Sequence, residues 1–216
     1  RIAFDGTDFH GFQNQPGLRT VQSVMEDQLR RVLRHPLELI GSGRTDAGVH
    51  ALGQVASFKT AARLDETAWR RALNALLPKD IAVVDSRIVP ERFHARRSAK
   101  SKVYRYSILN APVRSPLDRL HAWLLHAPLD SDAMAKAAEP LLGRHDFTSY
   151  AAAGPQAKTA PCTIREIRVA AVLLDDRRHH VAARQLESGN HVPQVKQKVS
   201  CGASDVQQPE PDHGNP

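Results

Sequence analysis

The 216 residues, 41% of them hydrophobic and 25% charged, can bury a real core, so a largely disordered chain is excluded. The balance is basic, with a net charge of +7 and an isoelectric point near 9.8, which favours a polyanionic partner. No apolar run reaches the roughly eighteen residues of a membrane-spanning helix, and Cys162 and Cys201 form neither a CxxC pair nor a zinc set, so a cytoplasmic protein in a reducing compartment is expected.

In chain order, IAFDG opens as a strand. TVQSVMEDQLRRVL follows as an amphipathic helix, with Val21, Val24, Met25, Leu29, Val32 and Leu33 on one face and Thr20 placed to cap it. LELIGSG and GQVASFK read as strands on either side of a glycine-cut loop. ETAWRRALNALLP is a second helix with Trp69, Ala72, Leu73, Leu76 and Leu77 inward, ended by Pro78. The strands IAVVDSRIV, KVYRYSIL and HAWLL come next. SDAMAKAAEPLLG is expected as a third helix burying Met134, Ala137, Ala138, Leu141 and Leu142, kinked at Pro140 and closed by Gly143. REIRVAAVLL is a further strand. The succession predicts an α/β (α+β) fold with a mixed, mainly antiparallel sheet flanked by helices.

Two features carry chemistry. GSGRTDAGVHA, residues 41 to 51, sets Asp46 between Arg44 and His50. An aspartate is ionised at neutral pH, and an arginine two residues away can hold it so or hold a phosphate beside it. The glycines permit close approach of a large ligand. On residue types alone, Asp46 is either a nucleophile or the cap of a strand-to-strand turn. The second feature is residues 91 to 106, where Arg92, Arg96, Arg97, Lys100, Lys102 and Arg105 oppose Glu91 alone, a balance of 6 − 1 = +5. Such a run is either a phosphate-binding surface or a strand edge kept soluble by charge.

GRTDAGVHA stands in one order with FDGTDFHGFQNQP, the TVQ opening the first helix, LNALLPKDIAV, FHARRSAKSKVYRY and HDFTSY. In that order, over residues 2 to about 175, the chain resembles the tRNA pseudouridine synthase A family. The resemblance implies the pseudouridine synthase fold. It also implies isomerisation of uridine to pseudouridine at positions 38 to 40 of transfer RNA, with neither cofactor nor metal, by a homodimer. Carried over by position, it makes Asp46 the catalytic aspartate and Arg44 the residue that orients the flipped nucleotide or pairs with that aspartate. Tyr104 becomes the aromatic wall on the target base and a candidate for proton transfer from C5, while Tyr106 is expected in the core, on the opposite face of the strand. His50 is implied as either loop support or an RNA contact. With the motif nearby, the basic run, including Arg92, Arg96, Arg97, Lys100 and Lys102, is read as an RNA surface. Phe12 stands where the family usually has tryptophan, and Arg97 where it usually has phenylalanine.

The resemblance divides the chain into an N-terminal catalytic half, 1–110, the start of a C-terminal half, 111–176, and an atypical polar tail, 177–216. The tail holds four histidines and four prolines without sustained periodicity, and is expected to be poorly ordered. His179, His180 and His191 are not expected to hold a metal there. The family's apolar helix, with a basic active-site residue at its start, and a later leucine-bearing strand are not recognisable in it. A shifted reading frame would produce such a switch, so the alternative is a catalytically impaired tRNA-binding protein.

Overall fold

The computed structural model describes residues 1–150, 161–175, 178–188 and 200–201. Its architecture is mixed α/β with mainly antiparallel pairing, distributed over more than one sheet. A four-stranded sheet runs in the order β11 (Ser200–Cys201), β3 (His50–Gln54), β1 (Ile2–Phe4), β5 (Ile81–Val83). Both β3 and β5 pair antiparallel with β1, and β11 lies parallel to β3 with Ser200 opposite His50. A five-stranded sheet has the order β7 (Trp123–Leu125), β6 (Lys102–Asn110), β10 (Arg178–Ser188), β9 (Pro161–Asp175), β8 (Gly143–Asp146), with only β6 and β7 parallel. β2 (Ile40–Gly41) and β4 (Ala56–Ser57) form a small antiparallel ribbon on either side of the Asp46 loop.

Two helices cover the first sheet. α1 (Val21–Leu33) begins with a reciprocal cap: the Ser23 amide donates to the Thr20 hydroxyl at 3.2 Å, and the Thr20 amide donates to the Ser23 hydroxyl at 3.1 Å. Its Val21, Met25 and Leu29 are buried in one core with Ile2, Phe4, Phe9, Phe12, Leu39, Ile81 and Val83, while Val24, Val32 and Leu33 are partly buried against it. α2 (Glu66–Leu76) adds Trp69 and Leu73. It stops at Leu77, which is extended because the following Pro78 disfavours helix there.

The third helix differs from expectation. α3 (Ser131–Ala138) has no buried residue, Ala137 and Leu142 are exposed, and only Met134, Ala138 and Leu141 are half-buried. Small side chains offer little area to bury, so the period of 3.6 marks a helix without making it a core helix. Pro140 lies in the middle of a short 3-10 turn, Glu139–Leu141, instead of kinking a longer helix. Gly143, at φ +97°, opens β8. That strand, GRHD, is wholly exposed and carries no alternation that sequence could register.

In the stretch read as a polar tail, 178–188 forms β10 between β6 and β9 and 200–201 forms β11, while His191 and the remainder lie outside the described residues. Tyr106 is half-buried and not core. Lying two residues from Tyr104 on one strand, it shares Tyr104's face, because strand side chains repeat with period 2.

Candidate active site

The Asp46 loop is built by the residues that surround it. Ahead of it, the chain is pinned by buried polar groups of α1: the Leu39 amide donates to Glu26 Oε1 at 3.0 Å, and Gln22 Nε2 donates both to that carboxylate at 3.0 Å and to the Leu39 carbonyl at 3.1 Å. Behind it, the amide of Gln54 on β3 donates to the Gly43 carbonyl at 2.6 Å, and the Ser42 amide donates to Val55 O at 2.8 Å. On its third side runs the N-terminal loop. Phe12 N donates to Thr45 O at 3.0 Å, Gly48 N donates to Phe9 O at 3.2 Å, and the same loop is stitched to the start of α1 by Val21 N to Gly11 O and Gln22 N to Phe12 O. The loop closes on itself where Val49 N donates to Asp46 O at 3.2 Å.

Of the motif's glycines, Gly41 serves the protein's own packing. A Cβ at Gly41 would lie 2.4 Å from the buried ring of Phe12, so that ring occupies the space a side chain would need. Gly48 sits at φ +78° with open space around it and supplies the left-handed turn between Asp46 and His50. At Gly43 the nearest neighbour is Lys102, whose Nζ would lie 3.3 Å from a Cβ there.

That contact joins the two chemical features of the sequence. Lys102 begins β6, and its ammonium reaches the loop residue next to Arg44. Tyr104 lies two residues along the same strand and therefore on the face from which Lys102 reaches the loop. Asp46 is half-buried, Arg44 exposed, and Tyr104 and Lys102 half-buried. The Thr45 hydroxyl, between Arg44 and Asp46, is buried and has no hydrogen-bond partner.

Arg92, Arg96, Arg97, Lys100 and Arg105 are exposed. Glu91, the lone acid of the run, is bound 2.9 Å from the ammonium of Lys59, whose hydrogen bond and charge hold its carboxyl below the usual range. The cluster's own acid is thus matched by a lysine from outside it, which leaves the positive field of the run intact. His94 shapes the turn, its Nδ1 accepting from the amides of Arg96 and Arg97 at 3.3 Å each.

His50 is buried, and both ring nitrogens face protein groups. Nδ1 lies 3.1 Å from the Gly6 amide and 2.9 Å from Asp5 Oδ1, and Nε2 lies 2.9 Å from the Leu120 carbonyl. The ring packs 4.5 Å from that of His121, whose Nε2 is 3.6 Å from Asp5 Oδ2. Of the two roles open to His50, these contacts are those of loop support. Burial would raise the Asp5 carboxyl, but the Thr7 hydroxyl and amide bonds and the charges of His50 and His121 outweigh it and hold it low. Among the described residues Asp5, His50 and His121 are the group whose donor atoms could converge on a metal ion. A cation on Nδ1 would have to displace the Gly6 amide, and the contacts present already employ both nitrogens of His50. Sequence reasoning did not find Asp5 or His121 as partners of His50, because residues 45 and 71 positions away are brought together only by the fold.

The structure thus presents a half-buried carboxylate on a pinned, glycine-cut loop that Lys102, a member of the basic run, reaches at Gly43. The chain belongs to the tRNA pseudouridine synthase A family. Residues 2–96 match the family described as tRNA pseudouridine synthase. The chain is 48% identical over 166 residues to tRNA pseudouridine synthase A of Syntrophotalea carbinolica, covering 77% of this chain and 65% of that protein. It is 47% identical over 169 residues to that of Geotalea uraniireducens, covering 78% and 69%. The chain thus spans about two thirds of the length of the curated relatives it matches. A chain from a solved Cbf5-Nop10-Gar1 complex matches at TM-score 0.36 and 8% identity, over 89% of this chain and 50% of that one, too weakly to bear on the fold.

Proposed function

We propose that this chain binds the anticodon arm of transfer RNA and that its Asp46 initiates isomerisation of uridine to pseudouridine at positions 38 to 40. The observation that carries the reading is the reach of Lys102 to Gly43, which sets the Asp46 loop against the strand that bears Tyr104 and adjoins the basic run. The reaction breaks the bond from uracil N1 to ribose C1′, turns the base, and forms the bond from C5 to C1′. N1 gains a proton and C5 loses one. The base must leave its stack first, so the site needs a carboxylate and an aromatic wall around one extruded nucleotide. Asp46 supplies the nucleophilic or related covalent chemistry, Arg44 orients the nucleotide or the aspartate, and Tyr104 packs on the uracil and stands ready for the C5 proton. The basic run holds the phosphates. The enzyme acts in the cytoplasm as a homodimer and without cofactor.

A second reading is a tRNA-binding protein of the same family with impaired turnover. It is suggested by the polar sequence after Asp176, in which the family's C-terminal active-site elements are not recognisable. Because C5 loses its hydrogen, tritium at C5 of uridine in a transfer RNA is released by each turnover. Release that disappears in Asp46→Asn supports the synthase. Salt-dependent tRNA binding without release supports the impaired binder. Absence of both overturns the functional reading.

A further inference from the structure

His50 ends the Asp46 loop and begins β3, and its ring touches two segments distant in sequence. One is the N-terminal loop, through Asp5 and the Gly6 amide, and the other is the segment ahead of β7, through the Leu120 carbonyl and the His121 ring. The titratable groups that face the ring are Asp5 and His121. Its backbone lies one residue from the turn in which the Val49 amide holds the Asp46 carbonyl. At that point the N-terminal loop presses so close that a Cβ on Gly6 would fall 2.0 Å from the Val49 carbonyl.

We propose that His50 is a positioning residue for Asp46, a two-sided pin whose Asp5 arm forms when the ring carries two protons. A neutral imidazole has one N–H. The Leu120 carbonyl can only accept, so that proton sits on Nε2, and Nδ1 is then an acceptor that suits the Gly6 amide but faces the Asp5 carboxylate at 2.9 Å as a second acceptor. With both nitrogens protonated the ring donates to Leu120 and to Asp5, and that charge-assisted bond is the stronger one. Thr7 holds Asp5 Oδ1 in place by its amide at 3.0 Å and its hydroxyl at 2.6 Å, so the carboxylate is fixed to receive it. Protonation therefore exchanges a Gly6 contact for an Asp5 contact and tightens the joint next to Asp46. The inference rests on the reading that Asp46 is the acting group, but the pin is testable without tRNA.

The test uses the full chain labelled with nitrogen-15, across about pH 5 to 8, where an ordinary imidazole changes charge. Ring nitrogen shifts report the protons on His50. Hydrogen exchange, corrected for intrinsic rates, reports the amides of Phe12, Gly48 and Val49, which bond to Thr45, Phe9 and Asp46. These three amides are expected to become about tenfold better protected as His50 gains its second proton, as loss or gain of one bond to a charged group would give. Asp5→Asn is expected to abolish the dependence, and so is His50→Gln, which keeps a donor near Leu120 but does not titrate. Protection of the Leu29 amide in α1 reports that each variant is folded. If either variant does not fold, the pH series of the unaltered chain decides alone. Protection that does not follow the His50 ring shifts overturns the pin, and so does a dependence that survives in Asp5→Asn. Failure of the functional reading would show itself separately, as transfer RNA neither bound nor turned over by a chain whose loop still responds to pH.

Discussion

Asp46, on its loop, and Glu26, on α1 against the chain ahead of that loop, are two carboxylates in different surroundings. Asp46 is half-buried. Asp46→Asn keeps the shape and removes the charge, so in any active form tRNA affinity is expected to stay within about twofold while tritium release from C5 falls to background, the pattern of an interaction made only in the transition state. Glu26 is buried and accepts from Leu39 and Gln22. Glu26→Ala leaves the Leu39 amide without its acceptor and is expected to cost about 1–3 kcal/mol in urea unfolding. Asp5 gives a pH test. Its carboxyl is held below the usual value, with burial opposed and outweighed by Thr7 and the two histidines, so the folded state binds its proton less tightly than the unfolded chain does. Its contribution is present above about pH 4, the unfolded value, and is lost as pH falls through the lowered folded value. Denaturation followed downward from about pH 5 should therefore show a loss of stability that Asp5→Asn reduces.

At the scale of elements, what is notable is how polar side chains finish what helices and strands begin. β5 is the edge of its sheet, and Asn74 of α2 covers its open side: the Asn74 amide donates to Val83 O at 2.9 Å and its carbonyl accepts from Val83 N at 2.7 Å. Asn74→Ala exposes that edge and breaks both bonds, with an expected loss of about 1–3 kcal/mol in chemical denaturation. The cap of α1 belongs to the same class, and Thr20→Ala should cost about 1 kcal/mol. The start of α1 at Thr20, the stop of α2 ahead of Pro78 and the strand β6 were legible in the sequence because caps, proline and β-branched runs act locally. The exposure of α3, the polar strand β8 and the pairing of β10 were not, because they depend on neighbours that no local period reports.

For the whole molecule, the role proposed for the basic run lies in encounter with RNA and not in folding. Each cation that meets a phosphate releases counterions, so replacing Arg92, Arg96 and Lys102 together by neutral residues is expected to weaken tRNA binding and to lower the slope of log affinity against log salt by about 2, near 0.7–0.9 per lost contact. Binding measured at several salt concentrations gives both numbers, and an unchanged slope would count against the surface.

From the sequence alone came the mixed α/β class, the two core helices, the family and the motif with Arg44 and Asp46, because composition, periodicity and a contiguous nine-residue pattern are properties of neighbours along the chain. What only the tertiary structure decided is the use to which those residues are put. Gly41 makes room for Phe12, Lys102 reaches Gly43, and Glu26 pins the approach to the loop. His50 meets Asp5 and Leu120 across 45 and 70 positions. Such contacts form between groups whose separation in sequence carries no signal, since burial and hydrogen bonding select partners by position in space.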